Sequence, residues 1–247
     1  MYLHSSSRNW QKIEAIGCGS HHGTVIYLAL SLYPYRPPKL IAIVHCYGNE
    51  LSFENHQHQI YNLLLEYAQG GNLLDLIYSN GGCLPEFKVQ IYTRMIVKGL
   101  RRIHEKGYVH CDLNPTNILV FFSHCGRVQV KIADFGSAKE PGKEEKEAPQ
   151  KSNKFRFLGT PVYMSPESVV FDEVETPLDI RWLCLKESHF VRWLTLSNEE
   201  AELPPNMSAI GKQFLKKCFI RNPRKRWTAK MLLNHPLVVE DPQNLVV

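Results

Sequence analysis

Two short apolar runs near the middle of the chain, 118–122 and 128–132, restrict the fold more than any other feature. They have the length and composition of strands and are separated by the turn-forming residues His124-Cys125-Gly126, which predicts an antiparallel pair. Asn117 comes directly before the first run, and Asp134 lies two residues after the second. The start of one strand and the end of its antiparallel neighbour share an edge, so we expect both side chains in one cleft.

One segment predicts a long amphipathic helix. Its apolar residues recur at steps of three and four, Pro85 suits the first turn and Gly107 suits the exit. These apolar positions are Val89, Tyr92, Ile96, Leu100 and Ile103. The helix would deliver the chain to the segment that begins at His110.

Further elements are predicted on either side of this helix. Before it, 24–30 and 40–44 are apolar runs bounded by Gly, Pro and Asn, which is typical of strands. After it, a second helical stripe stops before Pro223, and Thr228 is placed to cap a short helix that ends before Pro236. The residues of the second stripe are Ile210, Phe214, Leu215, Cys218 and Phe219.

Composition excludes several classes of protein. A content of 44% hydrophobic and 21% charged residues over 247 positions is ordinary for a globular chain. No apolar run approaches the length of a membrane span, and the first ten residues contain no signal-peptide stretch. Seven cysteines without a C-x-x-C pair favour reduced thiols over disulfides or a zinc site. We therefore expect a cytoplasmic protein, with the nucleus as an alternative location.

The segment from His110 to Asn117 reads H-C-D-L-N-P-T-N, and Asp134-Phe135-Gly136 follows it. This order resembles the catalytic loop and D-F-G segment of protein kinases. The resemblance implies that Asp112 orients the substrate hydroxyl and accepts its proton, while Asn117 and Asp134 hold Mg²⁺ through hard oxygen donors. Asn114 stands where serine/threonine kinases have a catalytic-loop lysine near the transferred phosphoryl group.

Two further segments resemble the nucleotide site of the same family. The run 63–68, L-L-L-E-Y-A, resembles the fifth strand and hinge. It implies that the backbone of Glu66 and Ala68 meets the adenine, with Leu119 beneath the ring, and that the cofactors are ATP and Mg²⁺. A third segment resembles the glycine-rich loop that covers the phosphates, although one residue too many lies between its second and third glycines. Its residues are Gly17, Gly19, Gly23 and Val25.

The strand-three lysine of the family, which contacts the nucleotide phosphates, has no matching V-A-x-K. Lys39 is the only lysine between the glycine-rich segment and the hinge, but it follows two prolines, and 40–48 already reads as the fourth strand. Glu66 lies 27 positions after Lys39, too few for a helix and two strands of ordinary length. Glu50 and Glu54 are interpreted as part of a hairpin loop. We interpret the pattern as an internal deletion of strand three and its helix.

Within the kinases, the chain most resembles the plant mitogen-activated protein kinase kinase kinases of the Ste11-like group. Cys111 in the catalytic loop and Ser165-Pro166-Glu167 in place of A-P-E carry this resemblance. It implies an α+β, two-lobed fold in one domain, 1–247, with a small, truncated, strand-rich N-lobe and hinge over 10–68 and a larger helical C-lobe over 69–240. The implied partner is a protein substrate, a MAP kinase kinase being one candidate. Neither nucleic acid nor a membrane is expected, and the oligomeric state is not set.

Three functions remain open from the sequence. An active ATP-dependent serine/threonine kinase in a MAP kinase cascade is favoured by the intact Asp112, Asn117 and Asp134. A catalytically impaired pseudokinase or scaffold is favoured by the missing lysine and by Asn114, because asparagine cannot neutralise developing charge. A nucleic-acid binder that uses the basic run 221–230 has the least support, because no recognition motif accompanies the charge.

Overall fold

The computed structural model describes residues 10–18, 25–31, 42–54, 58–123, 126–142, 174–181 and 206–239. Lys39, Ser165-Pro166-Glu167 and the turn residues His124 and Cys125 lie outside these ranges.

The described strands form three separate antiparallel ribbons. In the third, Ile118 pairs with Ile132 and Phe122 with Val128, which confirms both predicted strands and their antiparallel pairing. The predicted strand over 24–30 is also confirmed, displaced by one residue. The strands are β1 (Trp10–Cys18) with β2 (Val25–Ser31), β3 (Cys46–Glu54) with β4 (His58–Leu65), and β5 (Ile118–Phe122) with β6 (Val128–Ile132).

Two predictions about the segment before the hinge are wrong. Of the predicted strand over 40–44, the described part contributes only a bridge between Ile43 and Ile132, and the regular strand starts later, at Cys46. Glu50 and Glu54 lie in β3 and not in a hairpin loop, because the β3–β4 ladder extends to the last residue of β3. The short run before β3 is instead tied to β6, where Val44 N–H donates to the Ile132 carbonyl at 2.8 Å.

The β3–β4 ribbon buries the hydroxyl of Ser52 on one face and leaves large apolar side chains exposed on the other. Ser52 is buried, and its hydroxyl accepts from the Asn62 amide at 2.8 Å. On the opposite face, Leu51 and Tyr61 are cross-strand partners and both are more than half exposed. Exposed large apolar side chains are unusual on the solvent face of an antiparallel strand pair.

The predicted long helix is confirmed as α2, which begins after Pro85 and ends before Gly107. Gly107 itself has a left-handed backbone conformation. Its apolar stripe lies in the core, with Tyr92, Ile96, Leu100 and Ile103 buried. The described helices are α1 (Leu73–Ser79), α2 (Glu86–Glu105), α3 (Pro177–Ile180), α4 (Ala209–Cys218), α5 (Ala229–Leu232) and α6 (Pro236–Val239).

Gly99 allows α2 to approach the segment beside β6 closely. A Cβ atom at this position would lie 2.6 Å from the Ala42 carbonyl oxygen and 2.8 Å from the Ile132 side chain. Glycine therefore lets α2 support the strand that leads to Asp134, even though glycine weakens an isolated helix by about 1 kcal/mol relative to alanine.

The carboxyl-terminal helices follow the sequence prediction with one exception. The second stripe forms α4 and buries Phe214, Leu215 and Cys218, but Ile210 is 41% exposed and does not belong to the buried face. Thr228 caps α5, where its hydroxyl accepts from the Met231 N–H at 3.2 Å. The α+β fold class is thus confirmed, and no described helix is long and apolar enough to cross a membrane.

The basic run 221–230 has a structural role at Arg226. This guanidinium is buried and donates to the carbonyl oxygens of Pro177 at 2.7 Å and Ile220 at 3.0 Å. Lys217 lies over the ring of Trp227 at 5.0 Å. The run therefore anchors α3 to the segment before α5.

His235 gives the fold a pH dependence. It is buried edge-on to Phe214 and Trp227; its Nδ1 accepts from the Leu237 N–H at 3.2 Å, and its Nε2 has no hydrogen-bond partner in the described structure. Burial, with a smaller effect of the Lys217 charge, lowers the pKa of this imidazole. The folded state therefore resists the proton that the unfolded chain accepts near pH 6.5.

We predict that the free energy of unfolding is insensitive to this group above about pH 6.5 and falls as the pH drops below that value toward the folded pKa. Urea titrations between pH 5 and 8, a window set by the ordinary titration range of histidine, measure this slope. In His235→Phe the slope should be shallower, whatever the absolute stability of that variant. An identical slope in both proteins would contradict the role given to His235.

Candidate active site

Asp112 is held by the side-chain amides of two residues that follow it, Asn114 and Asn117. Its side chain is buried, the Asn114 Nδ2 donates to Oδ1 at 3.1 Å, and the Asn117 Nδ2 donates to Oδ2 at 3.2 Å. Both oxygens of the carboxylate are thereby oriented. An acid fixed in this way is preorganised to accept a proton from, or align, a hydroxyl group placed beside it.

Asn114 caps the short 3-10 turn that precedes β5. Its Oδ1 accepts from the backbone N–H groups of Thr116 at 2.9 Å and Asn117 at 3.2 Å, and also from the Thr116 hydroxyl. The Asn114 Oδ1 accepts from these donors, and its Nδ2 donates to Asp112, so the orientation of the amide is fixed. Asn114 therefore positions Asp112, and it supplies no positive charge.

Asn117 and Asp134 lie at the same end of the β5–β6 ribbon, as the strand pairing predicted. The Asn117 carbonyl accepts from the Ala133 N–H at 2.8 Å, which places Asp134 directly beyond the last pair of the ladder. The Asn117 Nδ2 also donates to the Asp112 carbonyl at 2.8 Å, so its Oδ1 is the atom that can face a cation. Asp134 is partly exposed, has φ of 57°, and accepts from the Gly136 N–H at 3.1 Å.

These donors fit Mg²⁺ in kind, since one amide oxygen and one carboxylate are hard ligands. They do not make a complete cage. Within the part of the chain that the structure describes, no group of three or more His, Cys, Asp or Glu could hold a metal ion. A cation at Asn117 and Asp134 would take its other ligands from water and phosphate, which is how Mg²⁺ usually binds at phosphoryl-transfer sites.

His110 connects the two halves of the site. Its Nδ1 accepts from the Asp112 N–H at 3.3 Å, so Nε2 carries the proton and donates to the Ala133 carbonyl at 2.9 Å. Its ring lies edge-on to Phe135 with centroids 5.1 Å apart. The histidine thus fixes the spacing between Asp112 and the segment that carries Asp134.

Asp179 of α3 holds the turn before Asp112, a role that sequence reasoning did not find. This fully buried carboxylate accepts from the backbone N–H of His110 at 2.8 Å, from that of Cys111 at 3.1 Å, and from the His104 Nε2 at 2.9 Å. Cys111 has φ of 64°, a conformation that costs energy for a residue other than glycine. The bonds from Asp179 offset that cost.

Cys111 is not a nucleophile in this setting. Burial raises the pKa of its thiol to about 12, with the Asp179 charge as the next contribution. The thiol therefore remains protonated at neutral pH and packs as a small buried side chain.

The segment predicted to bind adenine runs from Glu66 to β5. After Glu66 the chain crosses to β5, where the Gly70 N–H donates to the Val120 carbonyl at 3.0 Å and the Val120 N–H donates to the Gly71 carbonyl at 2.9 Å. A Cβ on Gly70 would lie 2.6 Å from the Val120 side chain, so glycine permits this approach. Ala68 belongs to the crossing segment, and Leu119 faces the end of it through a bridge to Asn72.

The residues predicted to cover the phosphates are only partly described. Gly17 pairs with Ile26 near the end of β1, and Val25 starts β2 opposite Cys18. Gly19 and Gly23 lie outside the described residues. The ribbon on which a glycine-rich loop would sit is therefore present, and its contact with phosphates stays a prediction.

Comparison with known proteins relates this geometry to one family. The family profile described as "Protein kinase domain" matches residues 35–185. Mitogen-activated protein kinase kinase kinase 20 of Arabidopsis thaliana is 39% identical over 81% of this chain and 61% of its own length. Mitogen-activated protein kinase kinase kinase 17 of the same plant is 36% identical over 79% and 54%. MAP kinase kinase kinase SSK2 of Saccharomyces cerevisiae is 30% identical over 80% and 15%.

The chain thus spans about half to two thirds of the length of the two plant relatives. The first alignment extends over 218 positions but uses 81% of the 247 residues, so about 18 positions of the relative have no counterpart in this chain. Those missing positions agree with an internal deletion.

We predict that Asp179→Asn loosens the turn before Asp112, because charge-assisted hydrogen bonds are about twice as strong as neutral ones and an amide keeps only one acceptor oxygen. The free energy of unfolding should fall by about 1.5–3 kcal/mol. Hydrogen exchange at the His110 and Cys111 amides should accelerate more than exchange elsewhere. The matched control is Asp75→Asn at the exposed cap of α1, where exchange at those two amides should not change. Unaltered protection in Asp179→Asn would contradict the assignment.

Proposed function

Because this chain belongs to the protein kinase domain family, we propose that it is an ATP-dependent serine/threonine protein kinase acting in a MAP kinase signalling cascade. The reaction would transfer the γ-phosphoryl group of ATP to a serine or threonine hydroxyl of a protein. A MAP kinase kinase is the substrate class we propose, from the names of the relatives, and the cytoplasm is the proposed location.

The observation that carries this proposal is the arrangement of Asp112, Asn117 and Asp134. One acid is oriented by two amides, and two hard oxygen donors lie together at the end of the β5–β6 ribbon. In phosphoryl transfer the protein mainly positions groups and stabilises charge, so this spacing is more informative than any single nucleophile.

In the proposed reaction, Asp112 aligns the acceptor hydroxyl and takes its proton as the phosphoryl group is transferred. ATP would supply the phosphoryl group and leave as ADP, while Asn117 and Asp134 would hold a Mg²⁺ ion that neutralises charge on the phosphates. His110 keeps Asp112 and Asp134 in register through its two ring nitrogens. The backbone of Glu66 and Ala68, with Leu119 below, would hold the adenine.

A second candidate, a catalytically impaired scaffold, is favoured by Asn114. The amide of Asn114 is engaged on both sides and carries no charge, so a stabiliser of the transferring phosphoryl group is missing. Loss of one preorganised stabiliser of this kind typically costs about 10²–10³ in turnover. The kinase proposal therefore includes slow turnover, while the scaffold alternative has none.

We predict that phosphotransfer to a generic serine/threonine substrate requires Mg²⁺ and is lost in Asp112→Asn, because an amide cannot accept the hydroxyl proton. Asn114→Lys restores the charge and is expected to raise turnover if its new side chain leaves Asp112 in place. Radiolabelled phosphate incorporation measures both.

The control is Glu105→Gln, which alters an exposed carboxylate that pairs with Arg101 on the surface of α2. It should leave incorporation unchanged. Equal incorporation in wild type and Asp112→Asn would show that Asp112 does not act on the hydroxyl. No incorporation by wild type, with nucleotide binding retained, would favour the scaffold.

A further inference from the structure

One buried ion pair lies between the proposed adenine-binding segment and the strand that leads to Asp134. The Lys131 Nζ donates to both carboxylate oxygens of Glu66, each at 2.7 Å. The two side chains are only 5% and 6% exposed. Two of the three ammonium donors are therefore spent on one carboxylate, in a site from which water is excluded.

The pair is also fixed on both sides by other groups. The Glu66 Oε1 accepts from the His45 N–H at 2.7 Å, and the Glu66 N–H donates to the His45 carbonyl at 3.0 Å. On the other side, the Lys131 ammonium lies 4.5 Å from the centre of the Phe121 ring. The carboxylate thus ties together the short run before β3, the start of the hinge and β6.

The position of Lys131 in its strand relates the pair to the cleft. Lys131 is the cross-strand partner of Leu119, so both side chains lie on the same face of the β5–β6 ribbon. Three residues later in the chain comes Asp134. The ion pair is therefore next to Leu119, which is predicted to lie under the adenine. It also lies just before the segment that carries Asp134, a predicted metal ligand.

Stability alone does not explain why two charges are buried here. Removing charges from water is costly, and apolar side chains of similar volume often serve a core as well or better. Buried ion pairs are better attested as devices that fix one arrangement of neighbouring elements. At this position, the arrangement that is fixed is that of the hinge relative to β6.

We propose that the Lys131–Glu66 pair is a positioning device that holds the hinge backbone in the position relative to β6 that is needed to bind an adenine base. The role rests on the proposed function, because it assumes that Glu66 and Ala68 meet the adenine. Lys131 acts through Glu66 and does not touch the ligand. The pair therefore affects recognition of the base, and it does not replace the missing phosphate lysine.

The test uses the full chain, with adenosine and Mg·ATP as two probes in titration calorimetry. The informative variant is Glu66→Gln with Lys131→Met, because it removes both charges together and keeps an oxygen that can accept from the His45 N–H. Neither charge is then left buried without its partner, so the variant is expected to fold with a melting temperature close to that of wild type.

We expect the double variant to bind adenosine and Mg·ATP about tenfold more weakly, by the same factor for both, since small misplacements of a binding group carry costs of at least this size. The control Val238→Ala opens a cavity in α6, which lies in the carboxyl-terminal part of the core, and lowers the melting temperature. It should leave both affinities unchanged.

Three results would overturn the positioning role. The first is unchanged adenosine affinity in the double variant. The second is a loss of affinity confined to Mg·ATP, which would make Lys131 a phosphate ligand. The third is an equal loss of both affinities in Val238→Ala, which would show that the effect comes from reduced stability. Wild type that binds neither probe would instead remove the proposed nucleotide site, and this inference with it.

Discussion

The buried carboxylate of Asp179 is the constraint on which the rest of the site depends. A charge without solvent is tolerable only when donors surround it, and here two backbone amides and one imidazole do so. Those bonds hold Cys111 in a left-handed conformation, which turns the chain so that Asp112 faces the amides of Asn114 and Asn117. The segment from His110 to Asn117 is therefore shaped from α3, almost seventy residues away in the sequence.

Local physical signals predicted the elements that carry the site. The spacing of apolar residues and the terminal Pro85 and Gly107 predicted α2, because helix periodicity and end preferences are encoded within one segment. The β5–β6 pair could be predicted because a turn sequence separated two strand-like runs. Once the strands pair, the proximity of Asn117 and Asp134 follows from geometry alone.

The remaining features depend on contacts that sequence spacing does not encode. Asp179 and the Lys131–Glu66 pair join residues more than sixty positions apart, and no local sequence pattern identifies the partner of either group. The apolar run 40–44 predicts a strand, whereas the regular strand is the less apolar β3, which buries Ser52 and exposes Leu51. Apolar residues of an alternating strand usually mark its buried face, but in β3 they face solvent.

Cys111 has a consequence for chemical labelling of this protein. Thiol-directed reagents react with the thiolate, and a buried thiol with a pKa of about 12 offers almost none at neutral pH. Cys46 and Cys83 are exposed by contrast, so among the described cysteines an electrophilic probe would select these two. A dye or crosslinker can thus be attached at the start of β3 or after α1 while Cys111, next to Asp112, stays unmodified.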